Sequence, residues 1–269
     1  MNFIISGYFG LYELKDLKEL EKIESPTRCS RCFRLGDCYY LISQSEYPLI
    51  KYDLDFNVVK RYTNKWFAKV YEIHEAQTCG RLIWVADTGV NDFKVINPKT
   101  MRHFSFSPNY YNSDLNHFNS IFFLNEYVYI LAHNFNKPSK VYAYLKEDIL
   151  KNPIVPTPVK IWEFKNGGMH TIGFIPDIGL VAGDSRAGSL VTIKGKELVH
   201  IGGYLHGFAF ADPYLLLMDN DKEDERNRRN LVQTRIQIYK KEGKKFSHIR
   251  EIELPEKGGL WFAEQIKLS

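Results

Sequence analysis

A unit of four short strands recurs along this chain, and a chain built that way has few folds open to it. The clearest copy begins Ile73-His74-Glu75-Ala76, continues Leu82-Ile83-Trp84-Val85-Ala86-Asp87, and ends with two further strands at residues 93–98 and 102–106. Its first strand opens at a histidine, a tight turn follows, and the second strand is apolar and ends in a polar residue. The same pairing recurs at 116–121 with 127–133, at 169–174 with 180–184, and at 205–212 with 214–219. Residues 31–37 with 39–44 fit as well, with Arg31 in the histidine's place. Residues 259–265 read as one more first strand with no partners after it. Residues 2–9, 11–17 and 20–24 at the other end of the chain supply those partners. Six four-stranded units, the last shared between the termini, define an all-β six-bladed β-propeller, with residues 1–269 as one domain. A five-bladed count would leave both termini as unpaired edges. The one stretch with a helical look, residues 11–23, reads equally well as two strands.

Composition narrows the function. Lys and Arg total 36 against 32 Asp and Glu, a net charge of +4 that does not suggest a nucleic-acid binder. No run of 18 apolar residues occurs, so no membrane-spanning helix is expected. The opening Met1-Asn2-Phe3-Ile4-Ile5-Ser6 lacks the basic segment of a secretion signal, and a cytoplasmic protein is expected. Cys29, Cys32, Cys38 and Cys79 are too few for a disulfide scaffold and read as reduced structural thiols. Cys29-x-x-Cys32 is half of a zinc knuckle with no second pair at metal spacing. The charged run 219–229 reads as a solvated hairpin tip between second and third strands.

The first strand of a propeller blade lines the central channel, so the residue that opens it lies near the axis at one mouth. Four of six units place histidine there: His74, His117, His170 and His206. Protonated, four such imidazoles would repel one another. Neutral, they offer nitrogen lone pairs to one cation, and imidazole suits iron, zinc, nickel, copper or manganese. The plain alternative is a polar channel in which water bridges neutral rings. Gly259 leaves space on the open side of the ring, and Arg31 offers a fork suited to carboxylate or phosphate. The loops on this face carry Trp66, Tyr110, Tyr111, Asn166, Gly167 and Gly168, together with Asp87, His133, Asn134, Asp184 and Asp219. Their carboxylates are placed to orient ligating imidazoles. Tyr110 and Tyr111 are candidates for a lid or an acid–base role. His103, His200 and His248 fall on outer strands and read as surface or packing residues.

The stretch from Leu82-Ile83-Trp84-Val85-Ala86-Asp87-Thr88-Gly89 through Val90-Asn91-Asp92-Phe93-Lys94-Val95-Ile96 resembles an NHL-type propeller repeat, in which a VADTGNN turn recurs. His117-Phe118-Asn119-Ser120-Ile121 and Leu131-Ala132-His133-Asn134 are similar to the same superfamily. Within it, the peptidylamidoglycolate lyases hold a catalytic zinc with axial histidines and use a nearby arginine. The resemblance implies analogous parts for His74, His117, His170, His206 and Arg31, one histidine more than that pattern has. The carotenoid oxygenases, longer and seven-bladed, are similar in their ligand set, four histidines on iron(II) at a propeller axis.

The leading expectation is therefore a metal-dependent enzyme, of lyase, hydrolase or oxygenase type. It would hold a divalent transition metal at the channel mouth and act on a small, anionic substrate, with Arg31, Tyr110 and Tyr111 as candidate catalytic groups. One alternative is a non-catalytic propeller that binds a peptide or protein through aromatic residues such as Trp66, Phe67, Tyr110 and Tyr111. Another is a metal that only pins the ring. Oligomeric state is not legible in the sequence.

Overall fold

The computed structural model describes residues 1–23, 25, 28–63, 73–108, 115–154, 156–221 and 232–266. The chain begins with β1 (Asn2–Gly7), β2 (Gly10–Lys15) and β3 (Glu19–Ile23), so the ambiguous stretch 11–23 is two strands and not a helix. Blade 1 is β4 (Cys29–Arg34), β5 (Tyr39–Ser43), β6 (Leu49–Tyr52) and β7 (Val58–Tyr62). Blade 2 is β8 (Ile73–Cys79), β9 (Leu82–Asp87), β10 (Asp92–Ile96) and β11 (His103–Phe106). Blade 3 is β12 (Phe118–Leu124), β13 (Tyr127–Ala132), β14 (Lys140–Leu145) and β15 (Lys160–Glu163), with the helix α1 (Lys146–Lys151) between its last two strands. Blade 4 is β16 (Met169–Ile175), β17 (Gly179–Asp184), β18 (Ser189–Thr192) and β19 (Glu197–His200). Blade 5 is β20 (Tyr204–Ala211), β21 (Tyr214–Asn220), β22 (Thr234–Glu242) and β23 (Lys245–Glu253). The last strand, β24 (Leu260–Ile266), pairs antiparallel with β1 and completes blade 6 in the order β24-β1-β2-β3. Six four-stranded antiparallel sheets thus form a six-bladed propeller closed by strands from both ends of the chain. Among the described residues no helix is long and apolar enough to cross a membrane.

The second strand of each blade shows how the ring is packed. Its neighbours in the sheet take its backbone groups, and both its faces are buried against other blades, so it reads as a continuous apolar run. In β9, Ile83 and Val85 pack with Phe33, Tyr40 and Ile42 of blade 1, while Trp84 and Ala86 pack with Phe118, Ile121 and Ile130 of blade 3. In β1, Phe3 and Ile5 join blade 5 and Ile4 joins blade 1. The period of two along a strand sends alternate residues to opposite neighbours, and six apolar clusters result, one in each wedge. Cys29 and Cys32 lie in the wedge between blades 6 and 1, buried and unbridged, and burial pushes the Cys29 thiol up to about 12. They are packing residues there.

Side chains at or just after the ends of four second strands tie their blade to the next. Ser6 Oγ donates to Ser30 O at 3.3 Å, Thr88 Oγ1 to Phe118 O at 2.6 Å, and Ser185 Oγ to Leu205 O. Gln44 Nε2 donates to Ile73 O at 2.6 Å, and Ser30 Oγ, from the inner strand, joins it on the same carbonyl at 3.2 Å. Each acceptor belongs to an inner strand close to where its register slips. Of the polar residues expected to end the second strands, Gln44 makes such a tie, whereas after Asp87 and Asp184 the tie comes from the next residue, Thr88 and Ser185.

Candidate functional site

Every inner strand carries a one-residue bulge near its start. The register skips Ser30, His74, Asn119, Thr171 and His206, and in β24 it skips position 261. A bulge bends the strand and re-aims the side chains beside it. The four expected histidines therefore do not share one register. His74 and His206 are the bulged residues, His170 precedes a bulge by one, and His117 stands just ahead of β12. Thr171 is held at φ 48° and His117 at φ 49°, left-handed conformations that side chains rarely adopt, the β-branched threonine least of all.

Three registers still converge on one place. His74 and His117 have ring centroids 4.6 Å apart, and His74 and His170 6.4 Å. A fifth ring closes the group: His133, at the end of β13, lies 5.4 Å from His117 and 4.8 Å from His170. His206 stands beyond Tyr204, whose ring is 4.8 Å from His206 and 6.0 Å from His170. All five imidazoles line one cavity of about 470 Å³, together with Tyr8, Arg28, Gln44, Asn119, Thr171, Arg186 and Tyr204. Among the described residues no Asp or Glu lines it.

The hydrogen bonds fix two of the rings. Ser185 has one hydroxyl proton, and it goes to Leu205 O, so the oxygen must accept from His170 Nδ1. His170 then carries its proton on Nδ1 and a lone pair on Nε2. Burial, and next the surrounding His133, His74, His206 and His117, pull its pKa well below the usual histidine value, so the ring is neutral at pH 7. His133 is the reverse case. Its Nδ1 accepts the backbone N–H of Phe135 at 3.0 Å, which leaves the proton of the neutral ring on Nε2.

Two guanidiniums reach the same cavity. Arg28 donates to the Tyr8 hydroxyl at 3.2 Å and lies over that ring. Arg186 donates to Asn136 Oδ1 at 3.0 Å and lies across Gly168. A side chain on Gly168 would meet Arg186 at 3.2 Å, and its φ of +89° is also one that glycine alone adopts readily.

Beneath this mouth the bore is filled. Arg31, directly after the bulged Ser30, pairs with the fully buried Glu75 through Nη1 and with Glu264 through Nη2 at 3.0 Å, and lies 5.1 Å over the Phe262 ring. Glu75 also accepts from Ile121 N at 3.1 Å and from Ser120, which in turn accepts from Ile172 N at 2.9 Å. A polar girdle thus runs from blade 6 through blades 1, 2 and 3 to blade 4, and the cavity lies above it.

The expected site residues divide accordingly. His74, His117, His170, His206 and Gly259 line the mouth. Arg31 lies in the bore with two carboxylate partners and is not among the lining residues. Tyr110, Tyr111, Trp66 and Phe67, and most of the charged run 219–229, lie outside the described residues. The carboxylates expected to orient imidazoles are engaged elsewhere: Asp87 with Lys94 at 3.6 Å, Asp184 with the Ala187 N–H at 3.0 Å, and Asp219 with Arg235 at 3.3 Å. A serine orients His170 instead. Among the described residues, no three of His, Cys, Asp and Glu are arranged so as to hold a metal ion. His103, His200 and His248 are exposed on outer strands, as expected. Sequence reasoning did not single out Arg28, Ser185 or Arg186. Ser185 was findable, because it follows a second strand as Gln44, Thr88 and His133 do.

No known protein family matches the chain, and no curated protein matches it. Solved structures do. A chain of the nidogen/laminin complex superimposes with a TM-score of 0.69 at 10% identity over 97% of each chain. A candidate 6-phosphogluconolactonase from Bacteroides uniformis superimposes at 0.60 with 12% identity over 98% of each chain. Another from Bacteroides fragilis does so at 0.60 with 10% identity, over 93% of this chain and 81% of that one. At such identities the likeness is one of fold, and propellers host many functions.

Proposed function

We propose that the histidine-lined mouth is the binding site of a small anionic molecule, on which its imidazoles act by proton transfer. The observation that carries this reading is the lining itself: five imidazoles and two guanidiniums around about 470 Å³, with no carboxylate among the described lining residues. The volume suits a small molecule. The guanidiniums supply the charge, and an imidazole such as that of the neutral His170 accepts or donates a hydrogen bond. The candidate 6-phosphogluconolactonases among the structural neighbours are named for an enzyme of a phosphate-bearing substrate, which agrees in class. Calorimetric titration with inorganic phosphate and with 6-phosphogluconate tests the reading. Arg186→Ala and Arg28→Ala should each weaken binding about tenfold, the value of one charge-assisted contact. Binding that neither substitution changes would remove it.

A metal-dependent reading rests on a separate observation. His74, His117, His133 and His170 form a closed ring with centroids 4.6, 5.4, 4.8 and 6.4 Å apart. His170 fits a ligand's needs, since its Nδ1–H is held and its Nε2 carries the lone pair. His133 does not, because Nδ1 takes a backbone proton and Nε2 keeps its own. A metal at this mouth requires that ring to turn. Elemental analysis of untagged protein soaked with zinc decides it: less than about 0.2 metal per chain excludes the metal reading.

A further inference from the structure

Two arginines reach the mouth from opposite sides of the ring. The inner strands of successive blades are neighbours all the way round, so blades 1 and 4 face each other across the axis. Arg28 stands in the loop that enters β4 of blade 1, and Arg186 in the loop that joins β17 to β18 of blade 4. Both line the one cavity and both are exposed. Each is held in place by its surroundings. Arg28 has φ 58°, which side chains rarely adopt; its N–H donates to Tyr8 O at 2.7 Å and its carbonyl accepts from Gln44 N at 3.0 Å. Arg186 lies across the bare Gly168 and is steadied by Asn136. The groups that hold these two guanidiniums are neutral, a phenol and an amide. In the bore, by contrast, Arg31 has Glu75 and Glu264. Among the described residues no carboxylate pairs with Arg28 or Arg186, so each brings its full charge to the cavity. Blade order then puts His74 and His117 on one side of the line between them and Tyr204 and His206 on the other.

We infer that the ligand of this mouth carries two anionic groups, one at each end of a short chain, with one end on Arg28 and the other on Arg186. The assignment deepens the anion-site reading and rests on it. The fork of a guanidinium takes one carboxylate or phosphate. A monoanion therefore engages one of the two arginines, and the second adds nothing to its binding. A ligand charged at both ends makes the second contact intramolecular, and the two contacts reinforce each other where its length matches the span. Its middle then lies among the imidazoles, so the reacting atoms of such a ligand are those between its charged ends.

The experiment titrates the full chain by calorimetry with two matched series, the linear dicarboxylates from succinate to pimelate and the monocarboxylates from butyrate to heptanoate. Inorganic phosphate serves beside them as the probe of the anion site itself. The expected result is one dicarboxylate per chain, bound at the best length about tenfold more tightly than the monocarboxylate with the same number of carbons, the value of one further charge-assisted contact. Arg28→Ala and Arg186→Ala change exposed side chains, so the core stays as it is. Either substitution alone should erase the advantage of the second charge, so that dicarboxylate and monocarboxylate bind alike. Dicarboxylates that bind no more tightly at any length, two of them bound per chain, or an advantage that survives either substitution would each overturn the inference. Where phosphate still binds, the anion site stands without it; where phosphate fails as well, the two readings fall together.

Discussion

In β8 the mouth and the bore lie one residue apart, at His74 and Glu75, yet they use opposite electrostatics. At or beside the bulges the chain presents imidazoles, of which the buried His170 is neutral. Immediately after the bulges, Arg31 and Glu75 present full charges that face each other. A full charge taken out of water is stable only with its partner in place, so the bore is fixed by what breaking it would cost. A neutral imidazole can donate, accept or take up a proton at little cost, so the mouth can answer a ligand. The bulge puts one behaviour above the other within a single strand. The bore closes the funnel and aligns five blades, and the mouth is left for chemistry.

The largest expected effect would break this contrast if it failed. Arg31→Ala leaves Glu75, which is 0% exposed, without its cation. The loss should be about 3–5 kcal/mol of unfolding free energy, measured by chemical denaturation. His170→Ala removes a neutral ring from a cavity wall, and its cost should stay near 1 kcal/mol, the scale of one hydrogen bond. If the histidine substitution is the more damaging of the two, the mouth is a structural element and not a site.

A smaller effect sharpens the comparison inside the mouth. Gly168→Ala forces a side chain onto a backbone at φ +89° and against Arg186. The strain should cost about 1–2 kcal/mol, beyond the ordinary gain from replacing glycine. Because the displaced group is Arg186, affinity for phosphate should drop in the same variant. A variant that loses stability and keeps its phosphate affinity would place the anion elsewhere, at Arg28.

Much of the propeller was legible because its physics is local and repeated. Two-faced burial makes second strands such as 82–87 and 127–133 continuous apolar runs, and the orphan strand read at 259–265 demands partners from the other terminus. The mouth was legible only in part. His74, His117, His170 and His206 read as one column, but they sit in three registers that a bulge brings together, and a bulge leaves no mark in hydrophobic periodicity. For the same reason Arg31 read as an axial residue at the mouth, although it lies one step below, where Glu75 and Glu264 take its charge. His133 was visible as a loop residue on the right face, but its place among the rings depends on the turn into Phe135. Arg186 was hidden because its position depends on Gly168, eighteen residues earlier, having no side chain.

The smallest effect separates the two regions by sign. His170 has a folded pKa well below its unfolded value of about 6.5. As pH falls below that value the unfolded chain takes up a proton that the folded chain refuses, so this ring's contribution to stability is present above about 6.5 and lost on acidification. Burial raises Glu75 above its ordinary value, against the lowering effect of Arg31. The folded state then holds a proton that the unfolded carboxylate has released, so this group's contribution grows as pH falls toward the unfolded carboxylate value of about 4.3. Asp219, pushed up to about 6 by burial despite Arg235, works in the same direction as Glu75. The stability of the native chain between pH 7 and 4 is therefore a sum of opposed terms, and only differences between variants resolve it. His170→Gln should make stability fall less on acidification than in the native chain, and Glu75→Gln should make it fall more. Denaturant midpoints taken at half-unit intervals of pH check both slopes. Equal slopes in the two variants would mean that mouth and bore titrate alike, and the contrast between them would then be geometric only.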